Sequence, residues 1–455
     1  MAVQAFRIFS WLFLMSISII VLILLWEHLL KSASLTGFSG THRGEDELLD
    51  SNSTIWDLKG NSILPNGVSI TPQAKPAAFM KTKPVTKQKL DQVKTSTRGA
   101  VAETPMPILL KNSFKRRPQW SFEDVYNQDA PPRQTTCAQS LRNSEDKSFK
   151  KAFLPNIRLF LHKESINMSE WNRLSHFNNP FGFMEYKYNE VMAALKLIPK
   201  PTEPLLLPKP GSDGCIRCAV VGTAGILNGS KMGKEIDSHD YIFRMNGAVI
   251  RGYEEDVGNK TSVYVHTAHS ITTSLYLLKK YGYKSIPNDE GIKYVLIPEG
   301  MRDYNWLQGL LKGERISAGP YHDKRPRTYY AGQYNESRFY VLHQDFLRYV
   351  RNRFLLSPNV NASFWAIVRP TNGAFALFLA LHTCDIVNAY GFMTEDYKKY
   401  SNYYVEKHAK TNVIFYINHD YILEMKTWKK LHDSKIIRLY QRLGSETGTE
   451  KPKPH

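Results

Sequence analysis

Residues 215–267 read CIRCAVVGTAGILNGSKMGKEIDSHDYIFRMNGAVIRGYEEDVGNKTSVYVHT, and this stretch decides the fold. An apolar run at 219–221 leads directly into a glycine-rich turn at 222–225. A second apolar run at 241–243 leads into an Arg-Met-Asn-Gly turn at 244–247. Because glycine has no Cβ, a strand followed by a glycine turn lets the backbone approach a phosphate and point N–H groups at it. The stretch therefore predicts a strand-turn unit that binds a nucleotide-type ligand.

Strand-like and helix-like segments alternate on both sides of this stretch. The predicted strands are 264–265, 294–297, 339–342 and 386–390, and the predicted helices are 190–198, 271–281, 344–354 and 373–383. Such alternation, with apolar strands, favours a parallel sheet that has helices on both faces. We therefore predict an α/β protein with a single Rossmann-like, doubly wound, mostly parallel sheet.

The N-terminus predicts attachment to a membrane. Residues 8–26 (IFSWLFLMSISIIVLILLW) carry no charged side chain, and about 20 apolar residues are enough to cross a bilayer as a helix. A cleaved signal peptide is the alternative, but the run is long for one and no small-residue cleavage pattern follows Trp26. We expect a cytoplasmic tail at 1–7 and an uncleaved signal-anchor at 8–26.

Residues 27–135 are predicted to be a disordered lumenal stem. From residue 32 onward the segment is rich in Ser, Thr, Pro, Lys and Gln and has no sustained periodicity, so it cannot bury enough apolar area to offset its ordering entropy. The folded domain is predicted at 136–455, with its first residues between 121 and 141. Its length of about 300 residues is near the upper limit for one hydrophobic core.

Sequons and cysteines fit a lumenal location for this domain. Asn-x-Ser/Thr occurs at Asn52, Asn167, Asn228, Asn259, Asn335 and Asn361, and each is a candidate N-glycosylation site. The four cysteines are Cys137, Cys215, Cys218 and Cys384. The Cys215-Ile-Arg-Cys218 spacing is also typical of zinc or redox sites, but no second such pair supplies the remaining zinc ligands. Two disulfides are the simpler interpretation in an oxidising compartment.

The formal net charge is +18, and much of the excess lies at 75–120 and at the C-terminus. No segment has the pattern of a nucleic-acid-binding module, so we expect no nucleic-acid partner. A solvated basic stem is the simplest interpretation of the charge. A positive field would also attract an anionic substrate.

A second informative segment, 369–392, reads RPTNGAFALFLALHTCDIVNAYGF. It predicts a loop that opens a helix, followed by a strand that ends at Gly391. Helix N-termini bind anions through unsatisfied N–H groups and the helix dipole. Ordinary N-capping by Thr371 or Asn372 is the alternative interpretation. Gly391 is expected at the edge of the sheet where open α/β proteins bind ligands.

Two shorter segments lie nearer the C-terminus: Tyr403-Tyr404-Val405-Glu406, and His419 followed five positions later by Glu424. Residues five apart do not share a helical stripe, so we expect this pair at a junction between a loop and a helix. By itself His419 fits a structural histidine. A histidine with a pKa near neutrality is also suited to general-base catalysis.

In this order the four segments resemble the large, small, third and very short sialylmotifs of the animal sialyltransferases. Over residues 135–443 the chain looks most like the alpha-N-acetylgalactosaminide alpha-2,6-sialyltransferase branch. The resemblance implies a variant of the glycosyltransferase A-type fold in the 136–455 domain. It also implies a single-pass type II protein of the Golgi membrane, with the catalytic domain in the lumen.

The implied reaction transfers sialic acid from CMP-sialic acid to O6 of N-acetylgalactosamine on Ser/Thr of glycoproteins. The implied mechanism is a metal-independent inverting displacement, and no Asp-x-Asp metal motif occurs in 150–455. One alternative is an α2,3-sialyltransferase that acts on galactose. Another is a Golgi glycan-binding homologue with weak activity. A secreted structural glycoprotein would explain none of the ordered motifs.

The resemblance also implies roles for particular residues. His419 is the implied catalytic base, Cys218 and Cys384 form one implied disulfide, and Cys137 and Cys215 form the other. The donor-binding candidates are Gly222, Thr223, Gly225, Asn246, Thr371, Asn372, Gly373, Gly391, Tyr403 and Glu424. Two of them depart from the family pattern, since Thr223 replaces an Asn and Tyr403 replaces a His. Four aromatic residues fit either sugar stacking or the core, namely Trp306, Tyr329, Tyr330 and Tyr334.

Overall fold

The computed structural model describes residues 55–56, 62–63, 103–131, 133–201 and 204–442. The predicted tail, the predicted anchor, most of the predicted stem and the sequon at Asn52 lie outside these residues. Within the described part of the chain, no helix is both long enough and apolar enough to span a membrane. Two short strands, β1 (Ile55–Trp56) and β2 (Ser62–Ile63), pair antiparallel.

One seven-stranded sheet organises the domain, in the order β7-β6-β5-β4-β3-β8-β9. Every adjacent pair is parallel. The strands are β3 (Arg217–Val221), β4 (Tyr241–Met245), β5 (Val263–His266), β6 (Lys293–Leu296), β7 (Phe339–Val341), β8 (Ile386–Tyr390) and β9 (Arg438–Leu439). The predicted single parallel sheet is confirmed.

The helices that accompany the sheet are α1 (Lys147–Ala152), α2 (Met168–Leu174), α3 (Tyr188–Leu195), α4 (Gly233–Asp237), α5 (Glu254–Val257), α6 (Ala268–Leu277), α7 (Met301–Lys312), α8 (Gln344–Arg353), α9 (Asn372–Thr383) and α10 (Tyr421–Asp433). The apolar helix α9 packs against β3, β4, β5 and β8. Because the strands are buried on both faces, they have near-continuous apolar sequences, as is typical of parallel sheets.

The strand order reverses next to β3. The chain builds the sheet outward from β3 to β7 and then returns to add β8 on the other side of β3. The carboxyl ends of β3 and β8 therefore flank a topological switch point, which is where open α/β sheets bind ligands. The two glycine segments of the sequence follow these two strands.

Element boundaries differ from the predicted ones where side chains satisfy backbone groups. Arg244 and Met245 belong to β4 rather than to the following turn. The Arg244 guanidinium is fully buried and donates to the carbonyls of Val257 and Lys260. Helix α6 begins at Ala268, before the predicted start, because Thr267 caps its N-terminus. Helix α7 was not predicted from the sequence.

The folded domain begins earlier than the sequence indicates. Residues within 103–135, predicted as stem, pack against α8. Arg348 donates to the carbonyls of Glu123 and Val125, and Arg351 donates to the carbonyl of Ser121 at 2.5 Å. The arginines that hold this segment lie more than two hundred positions away along the chain. Because these contacts go to backbone carbonyls, the side chains of the segment show no helix or strand periodicity that could predict its order.

Both implied disulfides are present, Cys137–Cys215 and Cys218–Cys384. Cys218 lies in β3 and Cys384 directly follows α9. This bridge therefore joins the two sequence segments that lead to the switch point.

Candidate functional site

The glycine turn after β3 packs against the end of β8. The N–H of Gly222 donates to Tyr390 O at 2.8 Å, and the N–H of Ala224 donates to Gly391 O at 3.0 Å. A Cβ on Gly222 would lie 2.4 Å from Gly391 O. These glycines therefore allow two strand ends to meet, and these two N–H groups are not available to a phosphate, contrary to the sequence-based expectation.

The Tyr403–Glu406 segment lies against the same turn. Ala224 forms an antiparallel bridge with Tyr403, and Tyr404 N–H donates to Thr223 O at 3.2 Å. A Cβ on Gly225 would lie 2.0 Å from Ser401 O, so this close approach requires glycine. Tyr403 is 38% exposed. Two of the predicted donor residues, Thr223 and Tyr403, are thus brought together.

Two asparagines join the large and small motifs. Asn246 directly follows β4 in the left-handed conformation, with φ of 53°. Asn372 Nδ2 donates to Asn246 Oδ1 at 2.8 Å across 126 positions of sequence. Tyr264 hydroxyl donates to Asn246 O at 2.6 Å and fixes the turn. The predicted donor residues of β4 and α9 therefore meet at one edge of the sheet.

The N-terminus of α9 is held by Glu424. Thr371, rather than Asn372, is the N-cap, and its Oγ1 accepts the Ala374 N–H at 3.1 Å. The N–H and hydroxyl of Thr371 each donate to the Glu424 carboxylate at 2.7 Å. Burial raises the pKa of Glu424 to about 7, against the opposing effect of the two Thr371 hydrogen bonds. Glu424 thus fixes this loop from within the protein.

Gly373 differs from the other glycines of the site. A Cβ there would meet only ordinary contacts, at 3.5 Å from Thr371 Oγ1 and 3.6 Å from Phe392 Cε1. Packing among the described residues therefore does not require glycine at this position. The absent side chain leaves space at the first turn of α9.

An ionic cluster that the sequence analysis missed lies beside the asparagines. Glu299 accepts from Arg369 Nη2 at 2.9 Å and from Arg302 Nη2 at 3.0 Å. Arg369 Nη1 also donates to Asn372 Oδ1 at 3.2 Å. Burial alone would raise the pKa of Glu299, but Arg369 and Arg302 lower it to about 2. The signal in the sequence was a carboxylate soon after the apolar strand β6, at the carboxyl edge of the sheet.

Asp303 ties α6 to α7 beneath this cluster. Its carboxylate accepts the N–H of Ala268 at 2.7 Å and the N–H of Gly300 at 2.9 Å. Burial, assisted by the nearby negative charge of Glu299, raises the pKa of Asp303 to about 7. The N-termini of both helices are thereby held together near the ends of β5 and β6.

His419 lies in the loop before α10, and this agrees with the predicted junction. Asp420 caps α10 by accepting the Leu423 N–H at 2.9 Å. The half-buried His419 has its Nδ1 2.8 Å from Arg369 O. Only a protonated Nδ1 can donate to a carbonyl, so in the neutral ring Nε2 carries the free lone pair.

The pKa of His419 is lower than the sequence-based expectation of near neutrality. Burial is the main cause and the Arg369 charge adds to it, so that the pKa falls to about 4. The imidazole is therefore neutral at pH 7, and a neutral imidazole can accept a proton. Its ring also makes an edge contact with Tyr421, with centroids 5.7 Å apart.

Of the four aromatic candidates for sugar stacking, Trp306 and Tyr330 belong to the core, and Tyr329 and Tyr334 are partly buried against it. Trp306 and Tyr330 are fully buried, and Trp306 Nε1 donates to Tyr330 hydroxyl at 3.1 Å. Tyr329 packs on Trp306, and Tyr334 packs on Tyr330. The core interpretation is therefore correct for Trp306 and Tyr330.

The described sequons lie mostly at the surface. Asn167, Asn259, Asn335 and Asn361 are exposed, whereas Asn228, next to the glycine turn, is half-buried. Within the described ranges, no group of three or more His, Cys, Asp or Glu side chains is placed to hold a metal ion.

Comparison with known proteins gives the class. The profile of glycosyltransferase family 29 (sialyltransferase) matches residues 160–436. The chain therefore belongs to this family, as the sequence motifs predicted. A crystal structure of a mammalian sialyltransferase is similar over 68% of this chain and 99% of the other, with a TM-score of 0.49 and 24% identity.

Within the family, the chain is similar to two groups of curated relatives. It is 47% identical over 352 residues to the Gallus gallus alpha-N-acetylgalactosaminide alpha-2,6-sialyltransferase 1, over 75% of this chain and 62% of the relative. It is 41% identical over 305 residues to the Mus musculus alpha-N-acetylgalactosaminide alpha-2,6-sialyltransferase 2, over 67% of this chain and 82% of the relative. The chain thus spans less than two thirds of the length of the first of these.

Proposed function

We propose that this protein transfers sialic acid from CMP-sialic acid to O6 of N-acetylgalactosamine linked to Ser or Thr of glycoproteins. The observation that carries the proposal is a continuous chain of hydrogen bonds from Asn246 to Asn372, from Asn372 to Arg369, and from Arg369 to His419. The Arg369 guanidinium donates to Asn372 Oδ1, and the Arg369 carbonyl accepts from His419 Nδ1. The names of the relatives supply the acceptor and the linkage.

The donor is proposed to bind along the edge formed by the turns after β3 and β4 and the start of α9. Asn246 and Asn372 offer amide groups to the nucleotide, and Gly373 offers space for close approach to α9. Gly222, Gly225 and Gly391 shape this edge through packing, and Glu424 holds Thr371 in place. Thr223 and Tyr403 contribute hydroxyl groups where the family has an amide and an imidazole.

The proposed reaction is one displacement with inversion. The acceptor O6 attacks C2 of the sialyl group while the bond from C2 to the phosphate oxygen breaks, and its electron pair leaves with CMP. His419 Nε2 takes the proton of the O6 hydroxyl. The carbonyl of Arg369 holds the ring in the required tautomer, and this is a positioning role.

We further propose that the enzyme acts in the Golgi lumen without a metal ion, anchored through residues 8–26 as a single-pass type II protein. Its apolar N-terminal run, its sequons and its two disulfides support the location. The absence of an Asp-x-Asp motif in 150–455 is the sequence support for metal independence.

The test is transfer by the full-length protein, purified in detergent, from CMP-sialic acid to a GalNAc glycopeptide. We expect an α2,6-linked product, identified by NMR, at the same rate with and without EDTA. His419→Ala should lose turnover by about 100-fold or more, as expected for a general base, and should still bind CMP. Transfer to galactose instead of GalNAc would contradict the proposed acceptor, and a near-normal rate for His419→Ala would contradict the proposed base.

A further inference from the structure

Arg302 lies in the first turn of α7 and belongs to the cluster with Glu299 and Arg369, and no step of the proposed reaction uses it. Its Nη2 donates to Glu299 Oε2 at 3.0 Å. Its Nε is buried and has no hydrogen-bond partner among the residues that the structure describes. The side chain is 25% exposed, so part of the guanidinium faces open space.

Arg302 and Arg369 both contact one carboxylate, that of Glu299, and the neighbouring Asp303 acts on Arg302 only through its charge. Glu299 is shared between Arg302 and Arg369, with Arg369 on Oε1 and Arg302 on Oε2. Asp303, the other nearby acid, spends both of its oxygens on backbone N–H groups of α6 and α7. Two guanidinium groups therefore meet one carboxylate that both of them contact.

An arginine in this state is suited to a second carboxylate. A guanidinium presents several N–H donors in a rigid plane that matches a carboxylate in bidentate geometry. Because Nε is buried, a ligand carboxylate would contact the exposed part of the guanidinium and not Nε.

We propose that Arg302 binds a carboxylate of the substrate, in a subsite next to the Asn246–Asn372 pair. This inference rests on the proposed sialyl transfer, which offers two sources of this group. One is the carboxylate of the sialyl group being transferred, and the other is the carboxylate of a sialic acid already present on the acceptor glycan.

The position of Arg302 fits this role. Arg302 connects through Glu299 and Arg369 to Asn372, and the negative charge of Glu299 also reaches His419. The subsite is therefore continuous with the groups proposed to hold the donor and to activate the acceptor.

The experiment compares binding of CMP, which lacks the carboxylate, with binding of CMP-sialic acid to the full-length protein and to its Arg302→Gln variant. If the donor supplies the carboxylate, Arg302→Gln weakens CMP-sialic acid by about 10- to 100-fold, the range for a charge-assisted hydrogen bond, and leaves CMP unchanged. Arg302→Lys keeps the charge but not the planar donors, and should recover only part of the affinity.

A second arm identifies the other source. With donor binding unaffected, a rise in KM for a sialylated Gal-GalNAc glycopeptide, but not for the unsialylated one, assigns the carboxylate to the acceptor. The matched control is Arg315→Gln, since Arg315 forms an exposed ion pair with Asp323 at 3.0 Å and should change neither measurement.

Glu299→Gln separates ligand binding from a purely structural role. If Arg302 acts only by holding Glu299, both variants weaken CMP and CMP-sialic acid to the same extent, and the inference is overturned. Unchanged affinities and KM values for Arg302→Gln overturn it as well. If the wild-type protein transfers no sialic acid at all, the proposed function fails. The binding measurement does not depend on turnover, so it tests the role of Arg302 separately.

Discussion

At the scale of single residues, His419 connects the chemistry to its surroundings. The carbonyl of Arg369 orients its ring, and burial keeps it neutral. Arg369 in turn belongs to the cluster with Glu299 and Arg302, so the proposed base and the proposed donor residues share one support. A substitution at Arg369 would therefore disturb both functions together.

The pH dependence of the reaction follows from the lowered pKa of His419. The neutral ring is the active form, and because the pKa lies at about 4, the neutral fraction stays high well below the ordinary histidine value of about 6.5. For the titration of His419 we expect kcat/KM, which reports the free enzyme, to fall only as the pH approaches 4. A change near pH 7 would belong to Glu424 or Asp303, whose pKa values burial raises to about 7.

The measurement is a profile of kcat/KM between pH 4 and pH 8, with unfolding monitored at each pH. His419→Ala should show low activity without this acidic decline. A decline centred near pH 6.5 that His419→Ala abolishes would contradict the lowered pKa of His419, whereas one that persists in His419→Ala belongs to another group.

At the scale of elements, the ends of β3 and β8 determine where the site forms. Gly222 and Gly391 meet with no space for a side chain, and the disulfide Cys218–Cys384 fastens the same two regions further down. The glycines that first suggested a phosphate cradle thus serve the contact between two strands. The ligand edge that we propose lies beside them, at Asn246 and the start of α9.

Gly391→Ala tests this role of the strand ends. Its φ is +67°, and a Cβ would lie 2.5 Å from Leu227 Cδ1 and 2.8 Å from Gly222 O. The left-handed backbone costs a non-glycine residue about 1–2 kcal/mol, and overpacking adds about 1–3 kcal/mol. We expect the variant to unfold at a clearly lower temperature.

Gly252→Ala is the matched control for thermal unfolding. Gly252 also has a positive φ, of +84°, but a Cβ there would meet nothing within 4 Å. Gly252→Ala should therefore lose only the part of the stability that comes from the left-handed backbone, without the cost of overpacking. Equal losses of stability in the two variants would show that the contact between the strand ends tolerates a side chain.

At the scale of the whole molecule, residues within 103–135 contact the folded domain. They supply backbone carbonyls to Arg348 and Arg351, two arginines buried in α8. Asn127 N–H also donates to Asp345 Oδ2 at 2.9 Å, within the ion-pair network of that helix. These residues were predicted as stem, but α8 requires them as hydrogen-bond partners, so the predicted stem becomes shorter at its C-terminal end.

Secretion of shortened chains tests this boundary. A chain that starts at residue 103 keeps these contacts, whereas one that starts at residue 136 leaves both guanidinium groups without their carbonyl partners. Each hydrogen bond to a charged group contributes about 1.5–3 kcal/mol, so we expect the shorter chain to be secreted poorly and to unfold at a lower temperature. Equal yields and equal unfolding temperatures would place the boundary back near residue 136.

The sequence by itself determined the α/β class, the parallel strands, the placement of His419 before a helix and the family. These features depend on local apolar periodicity, on capping patterns and on motifs a few residues long. The tertiary structure decided the Arg369–Glu299–Arg302 cluster, the low pKa of His419, the packing role of the loop glycines and the start of the domain. These depend on which distant residues meet and on how much water they lose there, since the Asn246–Asn372 contact spans 126 positions and the Arg369–Glu299 pair spans 70.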